Sequence, residues 1–269
     1  ATYGTPTYME MVTRYSPITE NKRLLQLATT KPYENLGRDA ARQLLKQTGG
    51  NTLIWNTINS KEADKAVAAV ASIRNVGSKE SLDMLSKVTL DTKRSLALRR
   101  EAARALGGSQ SGEDLTLSLL KSNKLSGEVK AAAVQGVSTA WRKSVRTEAA
   151  KYLDAGTSTA TKHPAMQELL TRKGDVAKGK AGFGMYCATC HQVNGEGMDF
   201  GPKLSEIGSK LSKEGQYLAL FYPSAGISFG YEGHEVRFKD GSSVTGIVSS
   251  KTETDLMMKF PGGGTQEYK

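Results

Sequence analysis

Cysteine and histidine are scarce in this chain, with two Cys and three His in 269 residues. So few cysteines exclude a disulfide-stapled scaffold. No second Cys or His pair exists to complete the four ligands of a structural zinc site. Long apolar runs are missing too, and none approaches the roughly 20 residues that cross a bilayer, so no membrane span is expected. The opening ATYGTPTYMEM lacks the basic and apolar regions of a signal peptide, which leaves either a cytoplasmic chain or a mature or partial form whose export signal is gone. Before residue 174 there is no nucleophile beside a base, no carboxylate pair and no phosphate-cradling glycine loop, and catalysis is not expected there.

What is present suggests two domains. A hydrophobic content of 38% with 24% charged residues is that of a globular chain, and 269 residues sit near the size at which single cores stop growing. The net charge of +10 is uneven: residues 1–174 hold 27 Lys and Arg against 16 Asp and Glu, whereas residues 175–269 hold 10 against 11. All the basic excess lies in the first part, which suits an acidic protein partner, an anionic surface or nucleic acid.

Residues 17–153, after a short extension at 1–16, read as helix after helix. ADKAVAAVASIRNVG (63–77), LRREAARALGG (98–108) and EVKAAAVQGV (128–137) share an Ala-rich face with apolar residues three and four apart, and several such segments stop at Gly. Ile73, Leu106 and Val137 close comparable units 31 to 33 residues apart, and Leu44 lies 29 before Ile73. SLDMLSKVTL and DLTLSLLKS supply a second helix per unit. The pattern resembles a HEAT-like repeat array of about four units, in which stacking buries faces that one pair would leave wet. Trp55 and Trp141 are expected in core or inter-repeat packing. DAGTSTATKHPAM (154–166) reads as a linker with His163 exposed in it, and with a short helix it fills 154–174.

Both cysteines and a histidine fall within five positions, in FGMYCATCHQV (183–193). Cys187, Cys190 and His191 form C-x-x-C-H, the pattern of c-type haem attachment. Each thiol can form a thioether with one haem vinyl group, and the adjacent imidazole can serve as the proximal iron ligand. A thioredoxin-like redox pair would need a βαβ setting and leaves the histidine unexplained.

The run DVAKGKAGFGMYCATCH resembles the first helix of class I cytochromes c, with Gly179 and Phe183 at the positions that let the first helix of that family cross the last. Downstream, NGEGMDFGPKLSEIG resembles the loop after the haem histidine. The resemblance implies that Pro202 offers its carbonyl to the other ring nitrogen of His191, and that Leu204 packs on the haem. It also implies export to the periplasm or cell exterior, where bacteria attach haem c.

Beyond this, HEVRFKDGSSVTGIV alternates in strand fashion around a DG turn, with His234, Val236 and Phe238 on one face, and a third apolar segment follows at 256–260. The order of repeats, C-x-x-C-H and this hairpin resembles the haem-binding domain fused to HEAT repeats in large planctomycete and verrucomicrobial dehydrogenase-like proteins. The expected fold is mainly α: a HEAT-like α-solenoid, then a cytochrome c-like helical domain over 175–269 carrying a small antiparallel β-hairpin or meander. That family would continue into a Met-containing loop and a final helix, so the domain is expected to be cut short. Candidates for the sixth ligand within the chain are His234, Met257, Met258 and Met198.

The function expected is electron transfer through one covalently bound haem, with no catalytic residue assigned. The repeats would dock a redox partner, an acidic protein or a dehydrogenase domain, and no nucleic acid is expected. Two alternatives stay open: an open-site haem serving as sensor or peroxidase-like enzyme, and a basic scaffold whose main role is partner binding.

Overall fold

The structure, a computed structural model, describes residues 2–138, 140–152, 164–228, 230–252, 254–261 and 263–269. His163 and most of the expected linker lie outside the described residues. The chain divides into two compact units: residues 1–166 with 217–226, and residues 167–216 with 227–269. The division falls at 166/167 rather than near 174, and 217–226 belong with the first unit although they follow the C-x-x-C-H segment.

The first unit is helical: α1 (Pro6–Tyr15), α2 (Asn21–Thr30), α3 (Asn35–Lys46), α4 (Gly50–Ile58), α5 (Ala63–Ser72), α6 (Lys79–Leu90), α7 (Leu96–Leu106), α8 (Gln110–Lys121), α9 (Gly127–Val137) and α10 (Lys143–Ala150). Local chemistry sets several starts. Thr5, Ser78, Ser95 and Ser109 each accept a hydrogen bond from the backbone N–H three residues on, and Pro6 stands in the first turn of α1. Helix α7 ends on Gly107, whereas α3 and α5 end on Gln47 and Ile73, with Gly49 and Gly77 a few residues later at positive φ.

The Ala-rich helices α5, α7 and α9 form a row that α2 extends by packing on α5, while α4, α6, α8 and α10 pack beside it. Leu44, Ile73, Leu106 and Val137, which end the sequence units, are all fully buried. Small residues permit close approach. A Cβ on Gly107 would lie 2.3 Å from the Gly136 carbonyl carbon, and one on Gly136 would lie 2.4 Å from the Arg104 carbonyl oxygen.

Arginines brace neighbouring helices. Arg94 donates to the Ile58 carbonyl at 3.4 Å, Arg99 to the Thr89 carbonyl at 3.1 Å, Arg100 pairs with Glu128, and Arg142 bridges Glu113 and Asp114 at 2.8 Å each. Part of the basic excess is therefore consumed internally. The expectation for Trp141 fails: it is 93% exposed, because in the short turn after α9 the neighbouring Ala140 takes the buried position at 5%. Trp55 is half-buried, with Arg94 and Lys87 5.4 and 5.9 Å from its ring centre.

The second unit holds most of α11 (Met166–Thr171), α12 (Val176–Tyr186), a ribbon of β1 (Gln192–Val193) with β2 (Glu196–Gly197), α13 (Ile207–Lys210) and the start of α14 (Lys213–Phe221). Lys213 Nζ donates to the carbonyls of Leu170 and Arg172 at 3.0 and 2.7 Å. The unit ends in an antiparallel meander, β3 (Gly233–Arg237), β4 (Ser243–Lys251), β5 (Leu256–Lys259) and β6 (Thr265–Tyr268), paired in that order. The expected hairpin is its first half, turned at Asp240 and Gly241, where Ser242 N and Oγ donate to Asp240 Oδ1 at 2.9 and 2.6 Å. Two elements were not anticipated: β6, whose strand TQEY follows a glycine run, and the β1–β2 ribbon, whose Asn194-Gly195 turn has both residues at positive φ.

The close approach of α7 and α9 is testable. Gly136→Ala is expected to cost about 1–3 kcal/mol, since the new methyl meets backbone that cannot move alone. Chemical denaturation of the full chain should show a lower midpoint, and an unchanged midpoint would mean the helices can separate cheaply.

Candidate functional site

The C-x-x-C-H motif sits at the end of a helix that buries nothing. Asp175 Oδ1 accepts from Lys178 N at 3.1 Å to start α12, and the helix closes at Cys187, whose N–H donates to the Phe183 carbonyl at 2.8 Å. No α12 residue is buried; Val176, Met185 and Tyr186 are 88%, 69% and 79% exposed, and Phe183 is half-buried. Exposed apolar side chains grouped on one short helix mark a surface that a ligand or partner can cover.

The motif itself is a backbone-pinned turn. Cys190 N and His191 N both donate to the Cys187 carbonyl, at 3.0 and 2.8 Å. The chain then reverses through the β1–β2 ribbon, so that Met198 N donates to the Ala188 carbonyl at 2.8 Å and Gly201 N to the Cys190 carbonyl at 2.6 Å. Leu204 N reaches the Gln192 carbonyl at 2.8 Å. Ala188, Cys190 and His191 are thereby held by the loop that follows, with the two thiols free and half-buried.

That loop brings Pro202 to the histidine. The Pro202 carbonyl lies 2.7 Å from His191 Nδ1. A carbonyl can only accept, so the ring proton resides on Nδ1 and the Nε2 lone pair is left for another partner. Among the described residues Nε2 has none. Sequence reasoning did not single out Gly201, which is buried and makes this geometry possible. A Cβ there would stand 2.7 to 3.1 Å from Cε1, Nδ1 and Nε2 of the ring. Its only sequence signal was its place before Pro202.

The donor set fits a covalently attached haem: two adjacent free thiols, one imidazole with its tautomer fixed and its metal-binding nitrogen available, and apolar side chains around them without a core. Among the described residues no three Cys, His, Asp or Glu gather as a metal-ion cage.

The other site residues are spread more widely. Leu204 is half-buried in the same loop, and Lys203 and Lys259 lie 4.0 and 3.9 Å from Asp199. Gly179 has open space around it, so the helix crossing that the resemblance implied is not formed among the described residues. Of the sixth-ligand candidates, His234 is half-buried on β3 opposite Gly246, and Met257 and Met258 are neighbours on β5. Met258 is 0% exposed in the sheet core and presents no sulfur to an open face, whereas Met198 is 43% exposed.

Residues 176–242 match the family model for Cytochrome c. A cytochrome c domain is present. It supports a haem-binding, electron-transfer role and covers the whole of the Cys187–Pro202 geometry. Comparison with curated proteins and with solved structures gave no match for the chain. No helix among the described residues is long and apolar enough to cross a membrane.

Gly201→Ala should displace the His191 ring from the Pro202 carbonyl. Nitrogen NMR of the imidazole is expected to show a single Nδ1–H tautomer in the parent chain and a mixture in the variant. Stability should fall by about 1–3 kcal/mol. An unaltered tautomer would mean that the glycine is not what admits the ring.

Proposed function

We propose that this chain is an electron-transfer protein carrying one haem c, joined through Cys187 and Cys190 with His191 as axial iron ligand. The observation that carries this reading is the His191 ring, tied by Nδ1 to Pro202 and placed one residue from a free thiol. When bound, the haem would supply reversible one-electron chemistry between ferrous and ferric iron.

The protein's own residues prepare the rest. The Pro202 carbonyl holds the proton on Nδ1, which keeps Nε2 basic and directed as a ligand. Phe183 and Leu204, half-buried on either side of the motif in sequence, supply apolar surface that would shield the haem from water and raise the local electrostatic contrast. Exposed Met185 and Tyr186 add to that surface. Haem attachment of this kind takes place outside the cytoplasm, by the family resemblance, and the mature protein is assigned to the periplasm or cell exterior.

The helical unit is read as a HEAT-like repeat scaffold on which a redox partner docks. Its row of Ala-rich helices at 31 to 33-residue spacing supports that reading. Its charge supports an acidic partner, either a carrier protein or a dehydrogenase domain that feeds it electrons, as in the planctomycete and verrucomicrobial proteins it resembles.

Visible spectra of protein made with haem-attachment machinery test the core of this. Reduced protein should show the sharp bands of a low-spin c-type haem, unchanged by carbon monoxide, and Cys187→Ser with Cys190→Ser should abolish haem that survives denaturing electrophoresis. A high-spin haem that binds carbon monoxide would shift the assignment to an open-site sensor or peroxidase-like protein. Absence of covalent haem would overturn the reading.

A further inference from the structure

In the helical unit, a cleft of about 330 Å³ opens among Tyr33, Arg38, Arg74, Asn75, Glu113 and Trp141. Nothing in the electron-transfer reading uses it.

The carboxylates near this cleft are already engaged. Glu101 accepts from the Tyr33 hydroxyl at 3.3 Å and is paired with Arg104, and Glu113 is held by Arg142 at 2.8 Å. Two arginines remain without one. Arg38 holds only neutral groups, the side-chain oxygen of Asn35 and, at 3.2 Å, that of Asn75, whose amide nitrogen donates to the Gly108 carbonyl at 3.0 Å. Arg74 makes no ion pair, and its guanidinium donates to no described residue. Burial, and then the charge of Arg104, hold its pKa below the usual arginine value.

A charge kept in such a place has a cost that a folding role should offset. Arg74 lies just past the end of α5, where the helix dipole favours a cation, but that effect is about 0.3–1 kcal/mol and gives its five N–H donors no protein acceptor among the described residues. Trp141 adds an independent feature. Its indole is 93% exposed at the cleft, a large flat apolar surface left in water beside two cations.

We propose that this cleft binds a small oxyanion ligand, its phosphate or carboxylate head held by Arg38 and Arg74 and its planar body laid against Trp141. Guanidinium groups match the paired oxygens of such a head in geometry as well as charge. The cleft volume is at the lower end of the range for small-molecule sites, about 300–1,000 Å³. The inference is independent of the haem assignment.

Calorimetric titration of the full chain with phenyl phosphate, inorganic phosphate and benzoate at fixed ionic strength tests it. Phenyl phosphate or benzoate should bind, and the tighter of the two identifies the head group. Arg74→Gln should weaken binding about 10- to 100-fold, the effect of losing a charged hydrogen-bonding partner. It should leave thermal stability unchanged or raised, since it removes a half-buried charge that meets no carboxylate. Trp141→Ala should bring phenyl phosphate down to the affinity of inorganic phosphate, and Lys22→Gln, at an exposed site on α2, should change nothing. Should Arg74→Gln fail to fold, Arg38→Gln provides the same reading. No binding by the parent chain, equal binding by both arginine variants, or an equal loss on Lys22→Gln would overturn the proposal.

Discussion

Missing side chains are the constraint on which both units depend. In the helical unit, α9 lies against α7 only because Gly107 and Gly136 leave their backbones bare at the crossing; a single methyl on either would fall within 2.4 Å of the opposing chain. In the second unit, the His191 ring occupies the space where a side chain at 201 would project. Close packing gives little room for adjustment at such points, because backbone on one side cannot yield without moving the element that carries it.

The consequence in the second unit is chemical. With the ring admitted, the Pro202 carbonyl can accept the Nδ1 proton in a hydrogen bond, and the other nitrogen keeps its lone pair without a partner among the described residues. The turn from Cys187 to His191 is fixed by backbone bonds to the loop that follows, so the thiols and the imidazole keep their relative places with little help from a hydrophobic core. Few large apolar side chains of this unit are buried, Ile247 and Met258 in the sheet being the clearest, which suits a domain whose core would be completed by a prosthetic group.

Charge is used differently in the helical unit than its total suggests. Arg94, Arg99, Arg100 and Arg142 are bound into contacts between neighbouring helices, where they satisfy carbonyls or pair with acidic side chains. A basic excess read from composition is a statement about the whole surface, and some of it is internal bracing. Arg38 and Arg74 differ from Arg94, Arg100 and Arg142 in meeting no carboxylate, a distinction that composition cannot reveal.

The cytochrome-like segment was legible because its chemistry is local: two thiols and an imidazole within five residues define the motif by spacing, the resemblance added Pro202, and Gly201 emerged only from the fold. Helix positions in the first part followed from 3.6-residue periodicity, and the hairpin at 233–247 from alternation around a DG turn. Strand β6 was not legible, since four residues after a glycine run carry little pattern and pair only because β5 offers an edge. Trp141 is exposed although size favours burial on average, because its neighbour Ala140 takes the buried position after α9. What the sequence by itself determined was the kind of chemistry, since covalent attachment and ligation need particular atoms at particular spacings. What tertiary structure decided was which atoms are left over: the His191 Nε2, the Arg74 guanidinium and the Trp141 indole are distinguished from similar groups only by the partners that folding denies them.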